Sequence, residues 1–168
     1  MPGEGAEPVL TEGRFDGPQA FADLIRNALS AAAHQGWNEI VFSDPDFADW
    51  PLGERASIEA LQAWSASGRR VLLLAGRFDL VERGHARFVT WRRTWDHIVE
   101  CRAARRSGGS QEVPSALWTP TWCLHRIDPE RSRGVCSSVP QTRRTLRESF
   151  EESWRQGRPA FPASALGL

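Results

Sequence analysis

The stretch that decides the fold class is Arg-Arg-Val-Leu-Leu-Leu-Ala, at residues 69–75. Its apolar side chains are consecutive rather than alternating, which predicts a strand that is covered on both faces. Residues 39–43 and 97–102 predict two further strands, and the segments between the three strands, residues 54–67 and 84–95, have the apolar spacing of helices. Strands and helices that alternate in this way indicate right-handed βαβ units on a mostly parallel sheet.

Further elements are predicted on both sides of this unit. Residues 16–34 have helical spacing, and Asp16 is placed to cap that helix. Residues 117–127 and 132–138 predict the two strands of a β-hairpin. A terminal helix should start after Ser138, because its apolar residues recur every four positions and form one stripe. These residues are Leu146, Phe150 and Trp154.

The predicted architecture is therefore α/β: a mixed, mostly parallel sheet with helices on both faces, a C-terminal β-hairpin and a terminal helix. A length of 168 residues fits one domain. We expect residues 1–12 to form a flexible N-terminal arm and residues 13–158 to form that domain. Residues 159–168 should be a C-terminal tail packed on its surface.

Composition narrows the class of protein. Apolar residues make up 40% of the chain and charged residues 25%, as in globular domains, and no apolar run reaches the length of a membrane span. The first residues are acidic and lack an apolar stretch, so we expect no signal peptide and a cytoplasmic location. Three cysteines without a paired spacing predict buried thiols rather than disulfides or a zinc site.

The chain contains no lysine and no tyrosine, and all 21 of its basic residues are arginine. Codon bias in a GC-rich genome would explain this composition. In either case, the absence of an amine-bearing side chain excludes Schiff-base chemistry and a phosphate-loop lysine.

Charge is unevenly distributed along the sequence. Residues 1–64 carry 3 arginines and 11 acidic residues, whereas residues 65–168 carry 18 arginines and 10 acidic residues. An arginine-rich half could bind nucleic acid, with tryptophans that stack on bases. The alternatives are attraction between the two halves of one fold and solvated helix faces, and most of the tryptophans fall on apolar stripes that predict core positions.

Two local motifs resemble the phospholipase D-like superfamily. Asp44, Pro45 and Asp46 follow a predicted strand, and Phe150 and Trp154 lie on the predicted terminal helix. The resemblance covers about residues 14–158 and is closest to small uncharacterised proteobacterial domains that correspond to one half of the fold. It implies a fold, and it implies a homodimer, because single-half members pair to complete their site.

Catalytic members of that superfamily carry His-x-Lys, four further residues and then Asp on a strand hairpin. The resemblance places this motif on residues 121–128, where the three positions are occupied by Thr121, Cys123 and Asp128. The nucleophilic imidazole and the neutralising ammonium are therefore missing. His125 lies on the same predicted strand but outside the motif. The resemblance thus implies a non-catalytic relative.

The strongest local candidate for a site is the acidic loop that contains Asp44, Asp46 and Asp49. Ligands of open α/β sheets bind beyond the carboxyl ends of strands, where this loop should lie. Its carboxylates could hold a hard cation or act as an acid/base pair. The alternative is a turn, because aspartates also cap their own backbone.

Other candidate ligand-binding residues are Arg77, His97, His125 and Arg126. Arg77 follows a predicted strand and could bind a phosphate or a carboxylate through both of its terminal nitrogens. Asp96 and His97 could form a base with an orienting partner, although neighbours on a strand face opposite ways. Structural ion pairing is the alternative interpretation.

Taken together, the sequence leaves enzymatic activity open and favours a non-catalytic phospholipase D-like domain that binds a phosphorylated ligand or a protein partner. One alternative is a divergent metal-assisted hydrolase that uses the acidic loop. Another is nucleic-acid binding through the arginine-rich half. No cofactor and no bound metal are expected in the favoured interpretation.

Overall fold

The computed structural model describes residues 8–105 and 113–163, which have an α/β fold. Residues 1–7, residues 106–112 and residues 164–168, with the parts of the predicted arm and tail that fall there, lie outside the described residues. The elements, in chain order, are β1 Gly13–Asp16, α1 Pro18–Gln35, β2 Glu39–Asp44, a 3₁₀ turn Pro51–Gly53, α2 Arg55–Ser65, β3 Arg70–Ala75, α3 Asp79–Gly84, α4 Ala86–Thr94, β4 Val99–Ala103, β5 Ser115–Trp118, β6 Cys123–Asp128, β7 Arg133–Ser137, α5 Pro140–Gln156 and β8 Arg158–Pro159.

The eight strands of the described residues belong to one mixed sheet with the order β1-β7-β6-β5-β2-β3-β4-β8. Only β2, β3 and β4 are parallel neighbours, whereas the other five pairings are antiparallel. The α/β class and the mixed sheet are confirmed, but the prediction of a mostly parallel sheet is wrong. The βαβ pattern covers only the middle of the chain, and the strands added on either side of it are antiparallel.

Helices cover both faces of the sheet, as predicted. On one face, α1, α2 and α4 pack with the sheet into the main core, which contains Val71 and Leu73 of β3. On the other face, α5 packs alone against the alternate β3 residues Leu72 and Leu74. Both faces of β3 are thus buried, which explains the consecutive apolar residues of this strand.

The predicted hairpin exists as β6 and β7, but the long strand predicted at residues 117–127 is wrong. The chain turns between β5 and β6, where Oγ1 of Thr119 accepts a hydrogen bond from the backbone N–H of Trp122 at 3.0 Å. Because of this turn, Trp118 packs on the α5 side while Trp122 is in the main core. Regular alternation along one strand would have placed both on the same face.

Helix starts differ from the sequence expectation as well. Gly17, not Asp16, precedes α1, and no side chain caps that helix. Asp16 instead accepts a hydrogen bond from Nε of Arg133 at 2.9 Å across the β1–β7 pair. Likewise α5 starts at Pro140 without a side-chain cap, and Ser138 donates its hydroxyl to Glu12 at 2.6 Å.

The two ends of the described chain add edge strands. β1 pairs with β7, and β8 pairs with β4. Phe161, from the segment predicted as a tail, is 6% exposed and stacks on Phe78 with ring centres 5.3 Å apart. Within residues 8–105 and 113–163, no helix has both the length and the apolar content that crossing a membrane requires.

Candidate functional site

The acidic loop after β2 is folded around one buried arginine, Arg126 of β6. Its Nη2 donates to Oδ1 of Asp44 at 2.9 Å and to Oδ1 of Asp49 at 3.1 Å, and its Nη1 donates to Oδ2 of Asp49 at 2.6 Å. The side chains of Arg126 and Asp44 are each only 2% exposed. The structure therefore brings three predicted site residues together in one ion cluster.

Arg126 has no N–H group left for a ligand. A guanidinium carries five N–H groups. Three of them meet the two carboxylates, Nε donates to Oγ of Ser115 at 2.9 Å, and Nη1 donates to Oγ of Ser132 at 3.2 Å. Burial alone would lower the pKa of Arg126, but the hydrogen bonds and charges of Asp49 and Asp44 outweigh burial and raise it. Arg126 is thus a charged structural residue with every donor in use.

The other carboxylate bonds in the loop go to its own backbone. Oδ2 of Asp44 accepts the N–H groups of Asp46 at 3.1 Å and Phe47 at 2.8 Å, and Oδ1 of Asp46 accepts that of Ala48 at 3.0 Å. Phe47 is fully buried with a φ of 59°, and Nε2 of His85 donates to its carbonyl oxygen at 2.8 Å. This geometry is that of the turn alternative. In the described parts of the chain, no group of three or more His, Cys, Asp or Glu residues is placed to hold a metal ion.

The second predicted constellation is not assembled. Arg77 lies just after β3, where its Nε is 3.4 Å from Oδ1 of Asp79. His97 is exposed and precedes β4, and its neighbour Asp96 pairs with Arg92 at 2.8 Å. Because β3 and β4 are parallel and in register, a residue after one strand and a residue before the other lie at opposite ends of the sheet.

Each of the three positions that the resemblance assigns to the catalytic motif has a structural role. Oγ1 of Thr121 accepts a hydrogen bond from Nε1 of Trp37 at 2.8 Å. Cys123 is 1% exposed, and burial raises the pKa of its thiol to about 11. Asp128 accepts bonds from the backbone and the guanidinium of Arg131, each at 3.2 Å, and these bonds lower its pKa. None of the three side chains is an activated nucleophile.

Cys123, one of these three positions, lines a cleft of about 400 Å³ between α5 and strands β6 and β7. His125, two residues after Cys123 on β6, is half-buried in its wall, and burial lowers the pKa of its imidazole. The lining residues are Pro114, Cys123, His125, Val135, Gln141, Thr142, Thr145, Leu146 and Ser149.

Several residues of the ion cluster and of the cleft were not predicted from the sequence. Ser115 and Ser132, which complete the bonds of Arg126, give no local signal because serines are common in loops and strand ends. The cleft did have a signal. Gln141, Thr145 and Ser149 recur every four positions, which places uncharged polar side chains in one line along a helix.

Burial of the three cysteine thiols predicts that they are alkylated slowly. At pH 8, a thiol of pKa about 11 has on the order of a thousandth of its population as thiolate, whereas a free cysteine has about a quarter. Burial raises the pKa of Cys101 and of Cys136 to about 12. We therefore expect alkylation by iodoacetamide to be at least about 100-fold slower than that of free cysteine. After denaturation all three thiols should react, and rapid labelling of one thiol in the folded protein would contradict this account.

Comparisons with known proteins relate the chain to others by fold alone. No family model matches the sequence, and no curated protein matches it. A structure of TrmBL2, described as an archaeal chromatin protein with a novel mode of DNA binding, is similar with a TM-score of 0.66 and 16% identity. That match covers 94% of this chain and 56% of TrmBL2, so the chain spans little more than half the length of that protein.

Nuc from Salmonella typhimurium, a phospholipase D family member, is similar with a TM-score of 0.57 and 12% identity. The match covers 89% of this chain and 99% of Nuc. Identities this low carry information about the fold and not about activity. The chain therefore has a phospholipase D-like fold, as the sequence resemblance implied.

Proposed function

We propose that this chain is a non-catalytic phospholipase D-like domain that acts by binding. The observation that carries the proposal is the state of the three motif positions. Thr121 holds Trp37, Cys123 is a buried protonated thiol, and Asp128 closes the turn between β6 and β7. A phosphodiester would meet no nucleophile and no ammonium group there.

The hydrogen bonds of the acidic loop argue against the alternative of a metal-assisted hydrolase. Its three carboxylates would have to be free to bind a cation, but Asp44 has both oxygens engaged by Arg126 and by backbone N–H groups. Asp49 shares the same guanidinium. A cation would have to displace a buried arginine, which would then lack its counterions.

Hydrolysis of bis(p-nitrophenyl) phosphate tests the proposal. We expect no release of p-nitrophenol above the buffer rate, with or without Mg²⁺ or Mn²⁺. Cys123→Ser and His125→Gln should give the same background. Turnover by the wild-type chain that either variant abolishes would overturn the proposal and identify the cleft as an active site.

Nucleic-acid binding is a second candidate, because TrmBL2, which shares the fold, is a DNA-binding protein. Ten of the 18 arginines of residues 65–168 form ion pairs with described carboxylates, so more than half of the arginines of this half already have a counterion. Arg69 before β3 and Arg93 in the last turn of α4 are exposed. Both lie at the end of the sheet where the parallel strands begin, and no ion pair to a described carboxylate is formed by either.

Salt dependence tests this second candidate. If the end of the sheet binds duplex DNA, log Kd should change linearly with log salt, and the double substitution Arg69→Ala and Arg93→Ala should reduce the slope by about 2. Arg131→Ala is the matched control, because Arg131 is exposed but paired with Asp128. Equal binding by all three proteins, or no binding at low salt, would remove this candidate.

A further inference from the structure

The cleft beside the hairpin differs in chemistry from the rest of the surface. About a quarter of the chain is charged, and α5 alone carries seven charged residues. None of the described residues that line the cleft is charged. α5 thus directs its uncharged stripe of Gln141, Thr145 and Ser149 toward the cleft and its arginines and glutamates elsewhere. An anion that entered this site would lose water and would meet no cation among the described lining residues. Arg143, whose charge acts on Cys123, is outside the lining and donates to the carbonyl oxygen of Pro120.

The cleft has the dimensions and the lining of a small-molecule site. Its volume of about 400 Å³ lies within the range of about 300–1,000 Å³ for such sites, which are mostly apolar with a few polar groups. Val135, Leu146 and Pro114 supply the apolar surface. The hydroxyl groups of Thr142 and Ser149 lie on the same wall and form no side-chain hydrogen bond to another described residue.

His125 is the polar group best placed to orient a ligand. It is half-buried, and its ring forms no hydrogen bond to any other described residue. Burial lowers the pKa of the imidazole, and this favours the neutral form of the ring. A neutral imidazole offers one donor and one acceptor, and it suits an alcohol, an amide or a heterocycle better than a phosphate.

We infer that the cleft between α5 and the β6–β7 hairpin binds a small uncharged organic molecule, whose apolar body packs on Val135 and Leu146 and whose polar group hydrogen-bonds to His125. The inference rests on the proposed function. A site that binds a ligand and does not cleave a phosphodiester needs no cation to neutralise phosphoryl oxygens. The ligand would contact the wall of the cleft that contains Cys123, one of the three motif positions.

The test is a screen of uncharged fragments by NMR, read on the imidazole C–H signals of the protein. The chain has four histidines, so His125→Gln identifies the signal of His125 by its loss. We expect aromatic alcohols and amides to shift that signal in a saturable way. Phenyl phosphate and inorganic phosphate should leave it in place.

Two arginine substitutions localise the binding. Thr145→Arg places a bulky cation in the cleft from an exposed helix position and should weaken the best fragment at least tenfold. Thr94→Arg, on the exposed face of α4, is the matched control and should leave the affinity unchanged. Equal loss in both variants would contradict the assigned site.

Three other outcomes would overturn the inference. The first is that no fragment shifts the His125 signal, and the second is that phenyl phosphate binds more tightly than benzyl alcohol. The third is that light scattering shows a dimer that Thr145→Arg converts to a monomer. The last result would mean that a second copy of the chain occupies the cleft. None of these results depends on phosphodiester hydrolysis, so failure of this inference and failure of the proposed function are distinguishable.

Discussion

Replacing Arg126 with alanine is expected to lower the free energy of unfolding by about 3–5 kcal/mol, the usual loss when one partner of a buried ion pair is removed. Asp44 would keep its two backbone hydrogen bonds but lose the cation that donates to its other oxygen. It cannot turn to solvent, because it lies under the loop and is 1% exposed. The cost is therefore the unpaired buried carboxylate rather than the lost bonds themselves.

Urea unfolding followed by tryptophan fluorescence measures this loss. Arg77→Ala is the matched control, because Arg77 pairs with Asp79 on the surface and such pairs contribute less than about 1 kcal/mol. Arg126→Lys should give an intermediate loss, since it keeps the charge but offers three donors instead of five. A loss for Arg126→Ala no larger than that of the control would show that the cluster is not what organises the acidic loop.

Replacing Gly134 with alanine is expected to cost about 3 kcal/mol or more, at the upper end of the effects of overpacking. A Cβ at this position of β7 would overlap the carbonyl oxygen of His125 and lie 2.8 Å from Cα of Arg126 and from Cζ of Phe15. Two of these three contacts are with the backbone of β6, which cannot yield unless the hairpin opens.

Gly84→Ala is the matched control for Gly134→Ala. A Cβ at Gly84, the last residue of α3, would meet nothing within 4 Å, so its stability should be unchanged or slightly raised. The comparison is made by urea unfolding of both variants. If the two variants unfolded at the same urea concentration, β6 and β7 would not be as closely apposed as the structure has them.

The middle of the fold could be predicted from the sequence because its signals are local. Residues 71–75 are apolar on both faces, and the flanking helices repeat their apolar residues at helical spacing. The edge strands β1 and β8 could not be predicted, because four and two residues are too short to show a periodicity. They pair with strands more than 50 positions away in the sequence, and these are two of the five antiparallel pairings of the sheet.

The residues of the ion cluster were predicted as site candidates, but the bonds between them were not. The sequence indicated that Asp44 and Asp49 share a loop, and it gave no sign that Arg126, 82 positions after Asp44, would lie inside that loop. The polar residues of the cleft were present as a repeat along the terminal helix. The neighbouring apolar stripe of Leu146, Phe150 and Trp154 gives the stronger signal, and Leu146 of that stripe also lines the cleft.

The proposed function requires that the chain does not cleave phosphodiesters. The most direct test is ³¹P NMR of the wild-type protein incubated overnight with a phosphodiester pool of phosphatidylcholine micelles and a short DNA duplex, because it detects every phosphorus product without an activated leaving group. We predict that the diester signals keep their intensity and that no monoester signal grows. A monoester signal that increases in proportion to protein concentration and disappears in His125→Gln would contradict the account.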